Sequence, residues 1–267
     1  MIKHYLKVAF RNLVKYKTQS LVSIIGLAVG FTCFALSVLW IRYEMTYDTF
    51  HNGADRIYIV RAHYTDSPGS TSNVTPYPLA NYLQEKMPEI EAVTAFTAHY
   101  VKFRMEDTEQ EIGMIAADSV FMNFFNIRLL KGTVNFLKEN DPEIAITEEF
   151  ARKLFGSEED ALGKEVELSG RPRKIGAIVS GWSRHSNIPY SVLSSARRYP
   201  RWSSKGEQLF IRVRAGVDRD TFQKKMEDID ILDIPKESEL VKLLITPISA
   251  LRYSDYVSKV EVVISFS

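Results

Sequence analysis

From Thr18 to Ile41 the chain carries no charged residue. Within that gap, residues 21–41 (LVSIIGLAVGFTCFALSVLWI) are a run of 21 in which only Ser23, Thr32, Cys33 and Ser37 have polar character. A helix of that length rises ~31 Å, close to the hydrocarbon thickness of a bilayer. Twelve of the residues are Leu, Ile, Val or Phe, and together they favour insertion by about 5 kcal/mol. The few hydroxyls can return their hydrogen bonds to the helix backbone. The pattern predicts a transmembrane helix over 18–42. A cleaved signal peptide has a shorter apolar core and a small-x-small cleavage site, whereas this core ends in Leu39-Trp40-Ile41-Arg42. A lipoprotein signal needs a small residue before its cysteine, and Phe31-Thr32 precede Cys33. A buried helix of a soluble protein rarely runs so far without a charge.

Charge is distributed unevenly about this span. The whole chain has 34 basic and 33 acidic side chains, a net +1. Residues 1–42 hold six of the basic ones and no Asp or Glu, so the remainder carries 28 basic against 33 acidic. Lys3, Lys7, Arg11, Lys15 and Lys17 precede the span, while Glu44, Asp48 and Asp55 follow it. The positive-inside tendency therefore places residues 1–17 in the cytoplasm and 43–267 outside. Ile2, Leu6, Ala9, Phe10, Leu13 and Val14 recur at helical spacing, with the basic residues opposite. That suits a helix lying on anionic membrane lipids, with a solvated basic N-terminus as the plainer alternative. Gly26 and Gly30 form a GxxxG that lets another helix approach closely.

The 45% hydrophobic and 25% charged residues exclude a disordered or fibrous chain. Near-balanced charge argues against a nucleic-acid partner. A single cysteine excludes an internal disulfide and a Cys-based zinc site. No catalytic, cofactor-binding or metal-binding residues are expected. Residues 156–165 (GSEEDALGKE) have six residues between their glycines and Glu165 where a phosphate loop needs Ser or Thr, so they read as a turn. Glu158, Glu159 and Asp160 there read as a solvated acidic face. His4, His51, His63, His99 and His185 are dispersed, with no pair at i, i+4. Arg184-His185-Ser186-Asn187 lacks a nucleophile elbow and reads as a surface loop. Asn73-Val74-Thr75 is a glycosylation sequon, meaningful only in a eukaryotic secretory context.

Beyond the span the chain reads as a mixed α+β domain. Residues 56–64 are β-branched and aromatic, hence a strand. Residues 66–78 (DSPGSTSNVTPYP) read as a mobile loop. A helix over 78–87 is stopped by Pro88. Paired strands over 93–103 and 111–117 precede a short aromatic helix over 119–125. A strand over 143–146 leads through Thr147, a plausible N-cap, into a helix with Glu148-Glu149 in its first turn and Gly156 at its end. A hairpin follows over 164–169 and 173–181, turning at Gly170-Arg171-Pro172. Residues 194–206 read as an extended loop. A last β-α-β comprises strand 208–214, helix 220–229 and strand 240–247, and the terminal β-α-β units can sit side by side.

Several blocks in order resemble the MacB/FtsX-type permeases of ABC transporters, especially Bacteroidetes forms. Residues 10–31 (FRNLVKYKTQSLVSIIGLAVGF) resemble that family's opening. Tyr47-Asp48-Thr49-Phe50-His51 and Ala54-Asp55-Arg56-Ile57-Tyr58 resemble the start of its external core domain. Asp118-Ser119-Val120-Phe121 through Phe124-Phe125 with Leu129-Leu130-Lys131-Gly132, and residues 144–156 (IAITEEFARKLFG) with Leu162-Gly163-Lys164, resemble two further segments of that domain. The run 175–182 (IGAIVSGW) departs from the family's Val-x-G-V-x-x-D-x-P. The resemblance implies a domain of two β-α-β porter-like units with an inserted β-rich subdomain, 43–140 and 205–250 being porter-like and 141–204 inserted. It implies a bacterial inner-membrane permease with its main domain in the periplasm, truncated before its later membrane helices, of which 260–266 would be the first residues. It implies as partners a cytoplasmic ABC ATPase subunit, a second permease copy in a homodimer or pair, and a periplasmic or outer-membrane protein. ATP-driven motion would then be relayed to the external domain for export, lipoprotein release or partner activation. The competing reading is the ligand-sensing region of a membrane receptor.

Overall fold

A computed structural model describes residues 4–5, 8, 11, 14–105, 108–139, 141–182, 185–229 and 233–252. The chain divides into two compact units, 1–46 and 47–267.

The first unit is built on helix α1 (Lys17–Glu44). It is two residues longer than the expected span at its C-terminal end and one at its N-terminal end, and it is long and apolar enough to cross a membrane. Its apolar side chains point outward all round, with Leu27, Phe31, Leu36 and Trp40 all exposed. The Thr32 hydroxyl donates to the Ala28 carbonyl (2.8 Å) and Ser37 to Cys33 (2.8 Å). These two hydroxyls are thus satisfied within the helix, as an apolar solvent requires.

In the second unit, a 3-10 turn (Ala54–Arg56) leads into β1 (Ile57–Tyr64), then β2 (Thr75–Pro76), α2 (Leu79–Lys86) and β3 (Ile90–Met105). Next come β4 (Thr108–Ala117), α3 (Ser119–Phe124), β5 (Leu129–Gly132), β6 (Glu143–Thr147), α4 (Glu148–Phe155) and α5 (Glu158–Ala161). Strands β7 (Glu165–Leu168), β8 (Arg171–Val179), β9 (Val192–Ser195) and β10 (Lys205–Val213) precede α6 (Arg219–Glu227) and β11 (Leu240–Pro247). The run 260–266 lies outside the described residues.

The strand order is β11-β1-β10-β3-β4-β9-β6-β8-β5. At one end, β10 lies antiparallel between β1 and β3, through Ile59↔Phe210 and Leu209↔Ala95. Strand β1 likewise lies between β10 and β11, through Ile59↔Thr246. The two β-α-β units, which the sequence reading places side by side, interlock, each splitting the other. At the other end, β4 runs parallel to β9, β9 antiparallel to β6, β6 parallel to β8, and β5 antiparallel to β8. Strand β3 serves both ends: residues 90–96 pair with β10 and residues 97–105 with β4.

Alternation along β1 explains its continuous burial. Tyr58, Val60 and Ala62 face one core with Leu79, Leu83, Phe222 and Met226 of α2 and α6. Ile57 and Ile59 face a second core of Phe96, Phe121, Phe125 and Phe210. Phe96 stacks on Phe210 (centroids 5.3 Å, 15°) and meets Phe121 edge-on at 4.8 Å, a geometry that aromatic rings favour. A third core, with Phe103, Ile144, Ile146, Phe150 and Ile175, lies under α4. Thr147 caps α4 by accepting from the Phe150 N–H (3.3 Å), and Gly156, at φ 82°, ends it.

Three local readings are corrected. The hairpin between β7 and β8 turns at Ser169 (φ 47°) and Gly170 (φ 79°), with Arg171 and Pro172 in the strand. Two successive left-handed residues match the strand twist of a two-residue hairpin. The 66–78 loop is tied down. Ser72 and Ala62 exchange backbone hydrogen bonds (3.0 and 2.8 Å), Arg61 Nε donates to Asn73 Oδ1 (2.7 Å), and β2 pairs with β10. Finally, the ends of the 194–206 loop belong to β9 and β10.

Candidate functional site

The residues that follow α1 enter a polar knot inside the second unit. Asp48 is fully buried and adopts φ 56°, the left-handed region that few non-glycine residues occupy. Its Oδ1 accepts from Ser186 Oγ (2.5 Å), and its Oδ2 accepts from the Asn187 backbone N–H (3.0 Å) and side-chain Nδ2 (2.7 Å). The Asp48 N–H donates to the His185 carbonyl (3.2 Å), and Ser186 Oγ accepts from the Ile188 N–H (3.0 Å). Residues 185–188 thus close around one carboxylate.

Aromatic side chains line the knot. The Tyr47 and His185 rings lie 3.8 Å apart, and the Arg252 guanidinium sits 4.4 Å from the Tyr47 ring. His51 packs against Phe50 (4.2 Å), Trp182 (4.9 Å) and Phe125 (5.0 Å). Trp182 Nε1 donates to the Ile188 carbonyl (3.0 Å), and the Tyr190 hydroxyl to the Ser180 carbonyl (2.9 Å), which fixes the loop at both ends.

Burial pushes the Asp48 carboxyl above its ordinary pKa, while the bonds from Ser186 and Asn187 pull it back. Burial, then the nearby Arg212, push the His51 imidazole down to about 4. Its Nε2 stands 3.8 Å from Asp48 Oδ1, beyond hydrogen-bond distance, so the carboxylate does not hold a proton on the ring. A carboxylate enclosed by three donors grips chain segments together; its lone pairs are already committed.

A second polar cluster joins the two ends of the sheet. Arg198 donates to Asp118 Oδ2 (2.7 Å) and Glu207 Oε2 (3.1 Å) and lies 4.5 Å from the Tyr77 ring. Asp118 also caps α3 through the Phe121 N–H (3.1 Å). Burial raises the Glu207 pKa, and Arg198 is the largest influence lowering it.

Gly26 and Gly30 lie on α1, and a Cβ at either would meet nothing within 4 Å. Arg11, Lys15 and Lys17 are exposed, while Lys3 and Lys7 lie outside the described residues. The surface-loop reading is corrected for 185–187, Arg184 lying outside the described residues: Ser186 is buried, because Asp48 draws it inward. His51 and His185, far apart in sequence, both meet at this knot. The solvated reading of the acidic turn holds for Glu159 and Asp160, which are exposed, while Glu158 is half-buried. Glu158 and Glu159 both pair with Lys131, and Arg152 bridges Glu158 (2.7 Å) and Glu148 (3.0 Å). Among the described residues, no group of three or more His, Cys, Asp or Glu is placed to hold a metal ion. Sequence reasoning missed Asn187, Arg198 and Glu207. The one available signal was the Tyr47–His51 block, five residues rich in aromatic and hydrogen-bonding groups directly behind the span.

No curated protein sequence matches the chain. Among solved structures, a domain assigned to a permease protein of Porphyromonas gingivalis is 24% identical, with TM-score 0.59, covering 74% of this chain and 92% of that one. The extracellular domain of the noncanonic ABC-type transporter YknZ from Gram-positive bacteria is 13% identical (TM-score 0.51; 71% and 99% covered). The periplasmic region of MacB from Actinobacillus actinomycetemcomitans is also 13% identical (TM-score 0.51; 76% and 94%). These three share its fold. Residues 20–229, well over half of the chain, match the MacB-like periplasmic core domain, and the protein therefore belongs to that family, the external domains of MacB/FtsX-type ABC transporter permeases.

Proposed function

We propose that the chain is the N-terminal part of a permease subunit in the bacterial inner membrane, relaying ATP-driven motion from a separate cytoplasmic ATPase to a periplasmic body. ATP hydrolysis then belongs to that partner, and a second permease copy completes the pair. The basic segment with Lys3, Lys7, Arg11, Lys15 and Lys17 rests on the inner leaflet, and the Gly26/Gly30 face receives another membrane helix. Residues 43–140 and 205–250 form the porter-like part and 141–204 the inserted part. The pairing of β4 with β9 and of β5 with β8 makes the seam between them continuous sheet.

The observation that carries this reading is the Asp48 knot. Tyr47 is the first residue of the second unit, and Asp48 grips the 185–188 loop, which runs into β9 and so to both β4 and β6. A displacement delivered along the chain from α1 is thereby received by a loop 138 residues away in sequence and passed to the sheet. Such a relay is a population shift between two arrangements of stiff bodies, biased from across the membrane. The ability to extrude a substrate, release a lipoprotein or activate a partner would follow from what the body touches.

Reconstitution of the native permease with its ATPase tests this. The expected result is co-purification of the two, with ATP hydrolysis that depends on the permease and loses its coupling to the periplasmic body in Asp48→Ala. Failure of any ATPase subunit in the same membrane to bind the permease overturns it.

A further inference from the structure

The corner where β1 begins and β10 ends carries an open cleft of about 320 Å³. Ile57 pairs with Arg212 there, and the 214–217 turn folds over the two strands. Arg56, Arg214 and Arg219 line the cleft with one acidic residue, Asp55, and Glu91 pairs with Arg56 beside it. Tyr58 and Phe222, both buried, form its floor.

The three arginines are held differently. Arg56 Nη1 donates to Glu91 Oε2 (2.6 Å) and to the Val213 carbonyl (2.8 Å), so part of its charge is already answered. Arg214 Nε donates to the neutral Pro88 carbonyl (2.8 Å), which fixes the root of the guanidinium, and its charge acts on the Glu91 carboxylate without forming an ion pair with it. Arg219 is the first residue of α6 and is exposed. Among the described residues neither Arg214 nor Arg219 forms an ion pair, and Arg219 acts electrostatically on the Tyr58 phenol at the floor. The nearest carboxylate of the helix, Asp218, is committed to the Thr221 N–H (2.9 Å) and hydroxyl (2.7 Å). Like charges gathered over a wall of low polarity repel one another, and an anion of matching geometry relieves that repulsion. Planar guanidinium forks match the oxygens of a phosphate two at a time.

We propose that the cleft lined by Arg56, Arg214 and Arg219 binds a phosphate-bearing anion, with the forks of Arg214 and Arg219 taking its oxygens and Arg56 behind them. The same chemistry is offered by free phosphate and by a phospholipid headgroup. The site is independent of the proposed relay.

The test uses the full chain in two settings: in nonionic detergent titrated with inorganic phosphate by calorimetry, and in nanodiscs of phosphatidylcholine with or without phosphatidylglycerol, followed by hydrogen exchange of residues 213–219. Saturable phosphate binding assigns free phosphate. Protection appearing only with phosphatidylglycerol assigns the headgroup. In either case R214Q/R219Q weakens the response by at least about tenfold. R219Q alone, whose side chain forms no hydrogen bond among the described residues, weakens it in the same sense without a folding defect. The charge-matched control K224Q, on the same helix, leaves it unchanged. No saturable binding and no protection in either setting overturns the proposal, and so does equal weakening by K224Q and R219Q.

Discussion

Asp48 Oδ1 accepts a 2.5 Å hydrogen bond from Ser186 Oγ across 138 residues of sequence. Asp48→Ala strands that hydroxyl inside the protein and leaves both donors of the half-buried Asn187 without their acceptor. Loss of about 2–4 kcal/mol of unfolding free energy is expected, since each buried donor left unmatched costs about 1–3 kcal/mol before relaxation. The urea midpoint of the full chain in detergent measures it, and faster hydrogen exchange should be confined to residues 182–190. Asp48→Gly removes the same bonds but relieves the left-handed backbone, so it should be milder than Asp48→Ala by up to about 1 kcal/mol. A loss below about 0.5 kcal/mol in both variants would mean the knot carries no load.

His51 makes stability depend on pH. Its folded pKa, about 4, lies below the ordinary 6.5, so the unfolded chain accepts a proton that the folded one refuses. Stability from this group is complete above pH 6.5 and declines as pH falls towards about 4, by at most about 3 kcal/mol. Asp48 works oppositely, because its raised pKa makes protonation favour the folded state as pH falls. Urea midpoints compared near pH 7 and near pH 5 should therefore fall less in His51→Gln than in the parent chain. Parallel declines would exclude the imidazole as the source.

Arg198 is the counter-charge of a carboxylate whose side chain is only 9% exposed, Glu207. Arg198→Met should cost about 1–3 kcal/mol near neutral pH, less than a fully buried pair because Arg198 keeps some solvent contact. The Glu207 pKa then rises further, so the deficit should shrink as pH is lowered through that value. Arg198→Met combined with Glu207→Gln should be less damaging than Arg198→Met alone, a coupling that a double-mutant cycle reads directly.

Gly132 and Gly69 separate steric clash from backbone preference. Both have positive φ, 84° and 81°. A Cβ at Gly132 would stand 2.1 Å from the Gly176 carbonyl oxygen and 2.8 Å from Ala177 Cα, while one at Gly69 would meet nothing within 4 Å. Gly69→Ala should cost about 1 kcal/mol and Gly132→Ala at least about 3, because backbone in the β5–β8 pair must shift. Equal thermal shifts for the two would contradict this.

Gly26 and Gly30 have open surroundings within the chain. Leucine at both positions should leave helix content by circular dichroism unchanged and lower helix association measured by energy transfer between labelled chains in bilayers. Unchanged transfer would remove this face from any helix contact.

What could be read in advance was local. The uncharged run gave α1, Thr147 and Gly156 gave the two ends of α4, and the aromatic cluster gave α3. Each depends on neighbours within a few residues. Strand order does not: alternation in β1 and β10 tells which face a side chain occupies, never which strand lies beside it, so the interlocking of β10 between β1 and β3 was hidden. The knot was hidden for a related reason. Ser186 and Asn187 look like solvent-loop residues until a carboxylate from position 48 reaches them, and nothing near them in sequence signals its arrival. Burial of Glu207 depended likewise on Arg198, across a loop whose composition reads as polar.

Strands β3 and β10 are hydrogen-bonded neighbours from Ala92↔Arg212 to Phe96↔Gln208. The polypeptide thus departs from the four-stranded end and comes back to it at adjoining positions. Everything between is nevertheless tied back to those strands by side chains, because Phe121 and Phe125 share a core with Ile57, Ile59 and Phe210. Residues 97–204 therefore leave and rejoin that frame at one place, and Asp48 and Glu207 of the frame hold them there through Ser186 and Arg198.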